Sequence, residues 1–145
     1  MFRSIKDNWK KAEAAVVIQN LLEAQASLGL FHGNAAEVAN LMIGKTWDVD
    51  PVLFGGRHGR RPHKVSLAAA ALAMTADAFH SEHRLHPVVL VCLSQVLLLV
   101  EEKGYLLPLT PLDDLLLSRA RTVLLQESAA AAATPLGQEI AAMVG

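Results

Sequence analysis

The sequence predicts an all-α protein: a single-domain antiparallel bundle of about five main helices and a short C-terminal helix. Hydrophobic residues make up 52% of the chain and aromatic residues only 5%, so the apolar mass is Ala, Leu and Val. Ala and Leu are strong helix formers. Helix-capping signals recur along the chain, whereas the alternating pattern of a half-buried strand does not. The 145 residues fit one domain with one core, residues 1–145.

The first predicted helix begins at Ser4, which is a good N-cap, and ends near Leu28, before Gly29. Apolar residues fall on one side of it at helical spacing, beside several lysines; they are Phe2, Ile5, Trp9, Ala12 and Val16. Such a stripe would suit a membrane interface or a groove on a partner. Because every bundle needs an amphipathic first helix to cover its core, we favour the interpretation that the stripe faces the core.

A capping box formed by Asn34 and Glu37 predicts a second helix that ends at about residues 43–45. The chain then changes character. Pro51 indicates the start of a one-turn helix, and three glycines and a proline follow it. We therefore expect an irregular loop, rich in Gly and Arg, over about residues 46–62.

Two unusually apolar segments follow this loop. Residues 65–79 contain only Asp77 as a charge, and residues 88–100 contain none. A helix that is apolar on all sides lies at the centre of a bundle or in a membrane, and spanning a bilayer takes about 20 apolar residues. The second segment is too short for that, so we predict two buried central helices and no transmembrane segment. A buried strand is the alternative for residues 88–100, but the polar ending that starts at Glu101 favours a helix.

The clearest helix start combines the capping hydroxyl of Thr110, a proline in the first turn and two acids near the positive end of the helix dipole. These acids, Asp113 and Asp114, look like a catalytic carboxylate pair. Adjacent helix residues point in different directions, however, and the dipole already explains both acids. The helix extends towards the alanine tract, and Pro135 starts the final short helix.

Charge and cysteine content restrict the function classes. The net charge of −1 gives no strong overall attraction to nucleic acid or anionic lipid. The single cysteine, Cys92, excludes a disulfide within one chain and lies in an apolar run, where it is expected to be a small core hydrophobe. This cysteine usage and an N-terminus without the apolar stretch of a secretory signal lead us to expect a cytoplasmic protein.

A basic segment is the most distinctive candidate site; it contains Arg57, His58, Arg60, Arg61, His63 and Lys64. Backbone amides near a helix start and guanidinium groups attract phosphate or carboxylate groups. The alternative is a solvated connector whose arginines pair with acids elsewhere, such as Asp48 or Asp50, and we give that alternative more weight. Nucleic acid is not favoured as a partner, because phosphate-loop motifs are absent and base-stacking aromatic residues are scarce.

Three histidines spaced three residues apart, His80, His83 and His86, form a second candidate site together with Glu82. Imidazole and carboxylate groups are a sensible set of metal ligands. Three-residue steps drift round a helix, however, and the residue before Pro87 is pushed towards extended geometry. We therefore favour a polar turn between two apolar helices, and expect neither a metal nor a cofactor.

No strained nucleophile elbow or polar cysteine supports catalysis, so we predict no catalytic residues. A chain this small cannot bury all of its apolar side chains in its own core. An interface between copies would cover the remaining ones. The predicted function is a non-enzymatic protein-interaction or regulatory module that self-associates. Binding of an anionic ligand through residues 57–64, either a phosphate-containing small molecule or a nucleic-acid backbone, is the alternative.

Overall fold

The described part of the chain consists of helices joined by turns and short connections and contains no strand, which confirms the predicted all-α bundle. A computed structural model describes residues 2–55, 61–78, 86–133 and 135–144. Its helices are α1 (Phe2–Ser27), α2 (Ala35–Val49), α3 (Pro51–Gly55), α4 (Lys64–Ala78), α5 (His86–Lys103), α6 (Pro111–Ala132) and α7 (Pro135–Val144), with a 3-10 turn at Gly104–Leu106.

Helix α4 lies at the centre of the bundle and packs against α1, α2, α5 and α6. Most of its side chains are buried, and most of those are alanines, from Ala68 to Ala76. Because the distance between helix axes depends on the side chains at the contact, methyl groups let the neighbouring helices approach closely. The first apolar segment is therefore a central buried helix, as predicted.

Helix α5 confirms the helical interpretation of the second apolar segment, but it is not buried on all sides. Its residues from Val88 to Val100 include a fully covered face, while Leu98 and Leu99 are exposed. Cys92 lies on the covered face, and burial raises the pKa of its thiol to about 12. Among the residues that the structure describes, no helix combines the length and the apolar character needed to cross a membrane.

Helix α2 is longer than the sequence predicts. Its start is confirmed, because Asn34 Oδ1 accepts a hydrogen bond from the Glu37 backbone N–H at 3.0 Å. The helix then continues through Gly44 to Val49, so the first residues of the expected loop are helical. Burial of Trp47 and its neighbours against α1 and α4 outweighs the weak helix propensity of glycine.

Candidate interaction surface

Helix α1 carries an apolar stripe on the side that faces away from the bundle. The exposed fractions are 61% for Ile5, 70% for Trp9 and 52% for Val16, and Ala12 between them is also exposed. We call these four residues the outer stripe. The side chain of Phe2, predicted to belong with them, lies outside the described residues.

The prediction that this stripe faces the core is wrong. The core face of α1 includes Ala14, Ile18 and Leu22, all of which are buried. Trp9 and Ile18 are nine residues apart, which at about 100° per residue places them on opposite sides of the helix. Helix α1 thus has two apolar faces, and the bundle covers only one of them.

Charged side chains flank the outer stripe on one side. Lys6 is exposed and Glu13 is half-buried, and the two are seven residues apart, so they follow the same edge of the stripe. Lys11 points elsewhere, since its Nζ lies 5.1 Å from the centre of the Trp47 ring, a cation–π distance. The stripe itself has intervals of four, three and four residues, which is the spacing of a coiled-coil seam.

Arg61 and His63 of the basic segment form hydrogen bonds with acidic side chains inside the fold. Arg61 donates from Nε at 2.9 Å and from Nη2 at 2.7 Å to Oδ1 of Asp7 on α1. The sequence analysis favoured pairing of the arginines with acids elsewhere in the chain, and Arg61 forms such a pair, with Asp7 rather than with Asp48 or Asp50. Because Asp7 lies far from this segment in the sequence, no local spacing could reveal the pair.

His63 links the same segment to two helices. Its backbone N–H donates to Oδ1 of Asp113 at 2.7 Å, and its Nδ1 accepts from the Val65 backbone N–H at 3.1 Å. The second bond makes His63 the N-cap of α4. Burial lowers the pKa of His63; the carboxylate of Asp113 opposes this shift, and the ammonium group of Lys10 adds to it.

Of the remaining residues of the basic segment, only Lys64 is described. Lys64 is exposed at the first position of α4. Arg57, His58 and Arg60 lie outside the described residues, so an anion site formed by them stays a prediction. Arg61, in contrast, already has its carboxylate partner in Asp7.

Asp113 is the residue whose importance the sequence analysis missed. It is buried, and its Oδ2 accepts from the backbone N–H of Thr110 at 2.8 Å and from the Thr110 hydroxyl at 3.0 Å, while Oδ1 accepts from His63. Burial alone would raise the pKa of Asp113, but these hydrogen bonds stabilise the carboxylate and lower it overall. Asp114 is exposed, so the two acids do point in different directions, as expected.

The three histidines that the sequence offers as an alternative metal site lie largely outside the described residues. His80 and His83 are not described, and of His86 only the backbone is described, as the first residue of α5. Within the described ranges, no group of three or more His, Cys, Asp or Glu side chains could hold a metal ion.

A groove of about 430 Å³ lies between the α2–α3 corner, α4 and α6. Leu53, Phe54 and Met74 contribute to its apolar walls, and Asp77 and Arg119 are among its polar residues. Its described lining contains no Ser, Thr, Cys, Lys or His, but it includes three carboxylates, those of Asp50, Asp77 and Glu127.

The fold and its surface define a small helical-bundle protein with one uncovered apolar stripe on its first helix. Comparisons with known proteins add no relative to this description, because no family model, curated protein or solved structure matches the chain.

Proposed function

We propose that this protein is a non-enzymatic interaction module that self-associates through the outer stripe of α1. The single observation that carries the proposal is the exposure of Ile5, Trp9 and Val16 in one line on the side opposite the core. Scattered exposed apolar residues are normal, but a contiguous patch marks an interaction site.

The residue types in the stripe strengthen this interpretation. Tryptophan is enriched among the residues that dominate binding energies, and Trp9 lies near the middle of the stripe. Fully burying a large aliphatic or aromatic side chain contributes about 1.5–3 kcal/mol relative to leaving it exposed. Association would remove Trp9, Ile5 and Val16 from water. This burial would therefore supply a useful part of the association free energy.

The alternative functions have less support. Arg61 and His63, two of the six predicted anion-binding residues, form hydrogen bonds within the fold. A bound phosphate would have to compete with the carboxylate of Asp7 for the Arg61 guanidinium group. The described lining of the groove beside α4 has carboxylates but no serine, threonine, cysteine, lysine or histidine to act with them.

Analytical ultracentrifugation from low to high micromolar concentration tests the proposal. We expect the unaltered protein to associate reversibly, and Trp9→Glu to remain a monomer because it places a charge in the middle of the stripe. Leu125→Glu is the matched control, since Leu125 is 79% exposed on α6, away from the stripe. The proposal fails if the unaltered protein is a monomer throughout, or if Trp9→Glu associates as the control does.

A further inference from the structure

We infer that the partner of the outer stripe is the same stripe of a second copy, packed antiparallel about a twofold axis between Trp9 and Ala12. This inference rests on the proposed function and specifies its partner and register. An interface with twofold symmetry needs a surface that is complementary to itself, and the outer stripe meets that requirement in shape and in charge.

The shape argument follows from the order of side chains along the stripe. In the antiparallel arrangement, Ile5 packs against Val16 of the second copy, and Trp9 packs against Ala12 of the second copy. Each layer then combines a larger with a smaller side chain, which fills the interface evenly. A parallel arrangement in register would instead place two Trp9 rings in one layer and two Ala12 methyl groups in another.

The charge argument uses Lys6 and Glu13, which flank the same edge of the stripe. In an antiparallel helix pair, each edge of the stripe faces the same edge of the stripe on the other helix, and the two edges run in opposite directions. Lys6 of each copy therefore approaches Glu13 of the other, and the pair occurs twice. In a parallel pair this edge would meet the opposite edge, where Asn8 is exposed and Ala15 is buried in the core, so neither charge would gain a partner.

The size of the stripe sets the strength of this contact. From Ile5 to Val16 the helix rises about 16 Å, since each residue adds about 1.5 Å. This length of one helix offers less than the roughly 800 Å² per partner of a standard stable interface. An interface of this size class is expected to be weak and reversible.

Charge reversal tests the register. Lys6→Glu and Glu13→Lys should each weaken the dimer by about tenfold or more, because each change places like charges at two symmetric positions. The double variant Lys6→Glu/Glu13→Lys should restore the original affinity. Lys45→Glu and Glu139→Lys, which make the same charge changes at exposed positions on α2 and α7, should leave the affinity unchanged. Dimerisation that is insensitive to both single changes would overturn the inferred register while leaving self-association intact.

Cysteine cross-linking supplies a second readout that does not depend on charge. On mild oxidation of the assembled protein, the double variant Ile5→Cys/Val16→Cys should form disulfides between copies, whereas Ile5→Cys alone should not. Cys92 is buried and needs no replacement. Efficient cross-linking of the single variant would show a parallel pair and overturn the inference. A protein that never dimerises would overturn both the inference and the proposed function. A dimer with a different register would overturn the inference alone, so the two failures can be told apart.

Discussion

The Arg61 guanidinium donates two hydrogen bonds to a single carboxylate oxygen of Asp7, at 2.9 Å and 2.7 Å, across 54 residues of sequence. The pair attaches the end of the basic segment to the first turns of α1. The Asp7 carboxylate also lies near Gly55, the last residue of α3, where an added Cβ would be 3.8 Å from it. The Asp7 carboxylate therefore joins α1 to Arg61 and lies beside the end of α3.

Removing this pair should have a moderate cost. The two side chains are only 16% and 20% exposed, so water screens them less than a surface pair, yet both keep some hydration. We expect Asp7→Ala to lower the free energy of unfolding by about 1–2 kcal/mol in urea denaturation. A double-mutant cycle with Arg61→Gln should give a favourable coupling energy, and additive effects of the two changes would contradict a direct interaction.

Asp113 should matter more, because it is buried and accepts three hydrogen bonds from Thr110 and His63. We expect Asp113→Ala to lower the free energy of unfolding by about 2–4 kcal/mol, since it leaves buried donors without an acceptor. Asp114→Ala is the control; it removes a charge from the same helix turn and should cost less than about 1 kcal/mol. Equal losses in the two variants would show that the buried hydrogen bonds contribute nothing beyond the dipole effect.

Asp113 also predicts a loss of stability in acid. Its folded-state pKa is lowered below the ordinary value of 3.8, so the unfolded chain takes up the proton first. The stabilisation is fully present above that ordinary value and is lost as pH falls towards the folded-state pKa. Stability measured from neutral pH down to strong acid should fall less steeply in Asp113→Asn than in the unaltered protein, and parallel curves would contradict this.

His63 predicts a separate loss at milder pH. Burial lowers its pKa below the ordinary value of 6.5, so the unfolded chain binds the proton first and stability declines as pH falls through 6.5 towards the folded-state pKa. His63→Asn keeps a side-chain acceptor for the Val65 N–H but does not titrate. The difference in stability between the two proteins should therefore shift in favour of the variant as pH falls. Equal pH dependence of stability in the two proteins would contradict this assignment.

Cys92 should be inert in the folded protein. Its thiol is buried on α5 and burial raises its pKa to about 12, so almost no reactive thiolate is present at neutral pH. A chromogenic disulfide reagent should label the thiol only as fast as the bundle opens, and added urea should make labelling rapid. Fast labelling without denaturant would contradict the covered position of this side chain.

The sequence predicted several features that depend on local chemistry, although Ser4, the predicted N-cap of α1, lies within that helix. The capping side chain of Asn34 and the helix start at Pro111 are local signals, and both are confirmed. The central position of α4 was also predicted from its composition, because a helix with almost no charged residues lacks a polar face that could be exposed to water.

The remaining features depend on contacts that a local pattern cannot show. Helix α1 has two apolar faces, and periodicity alone does not tell which of them the bundle covers. The shorter side chains of Ala14 and Ala15 allow close packing in the core, so the face with the bulky Trp9 remains outside. The acid pairs of Arg61 and His63 join residues far apart in the chain, and only the folded arrangement brings them together.

Fluorescence of Trp9 tests the self-association through the outer stripe most directly. The protein has two tryptophans, and Trp47→Phe removes the buried one while keeping an aromatic ring beside Phe54. If the stripe is the interface, the emission of Trp9 shifts to shorter wavelength and its quenching by acrylamide decreases as protein concentration rises through the micromolar range. Emission and quenching that stay those of a solvent-exposed indole, while ultracentrifugation shows association, would contradict the assignment of the interface to the outer stripe.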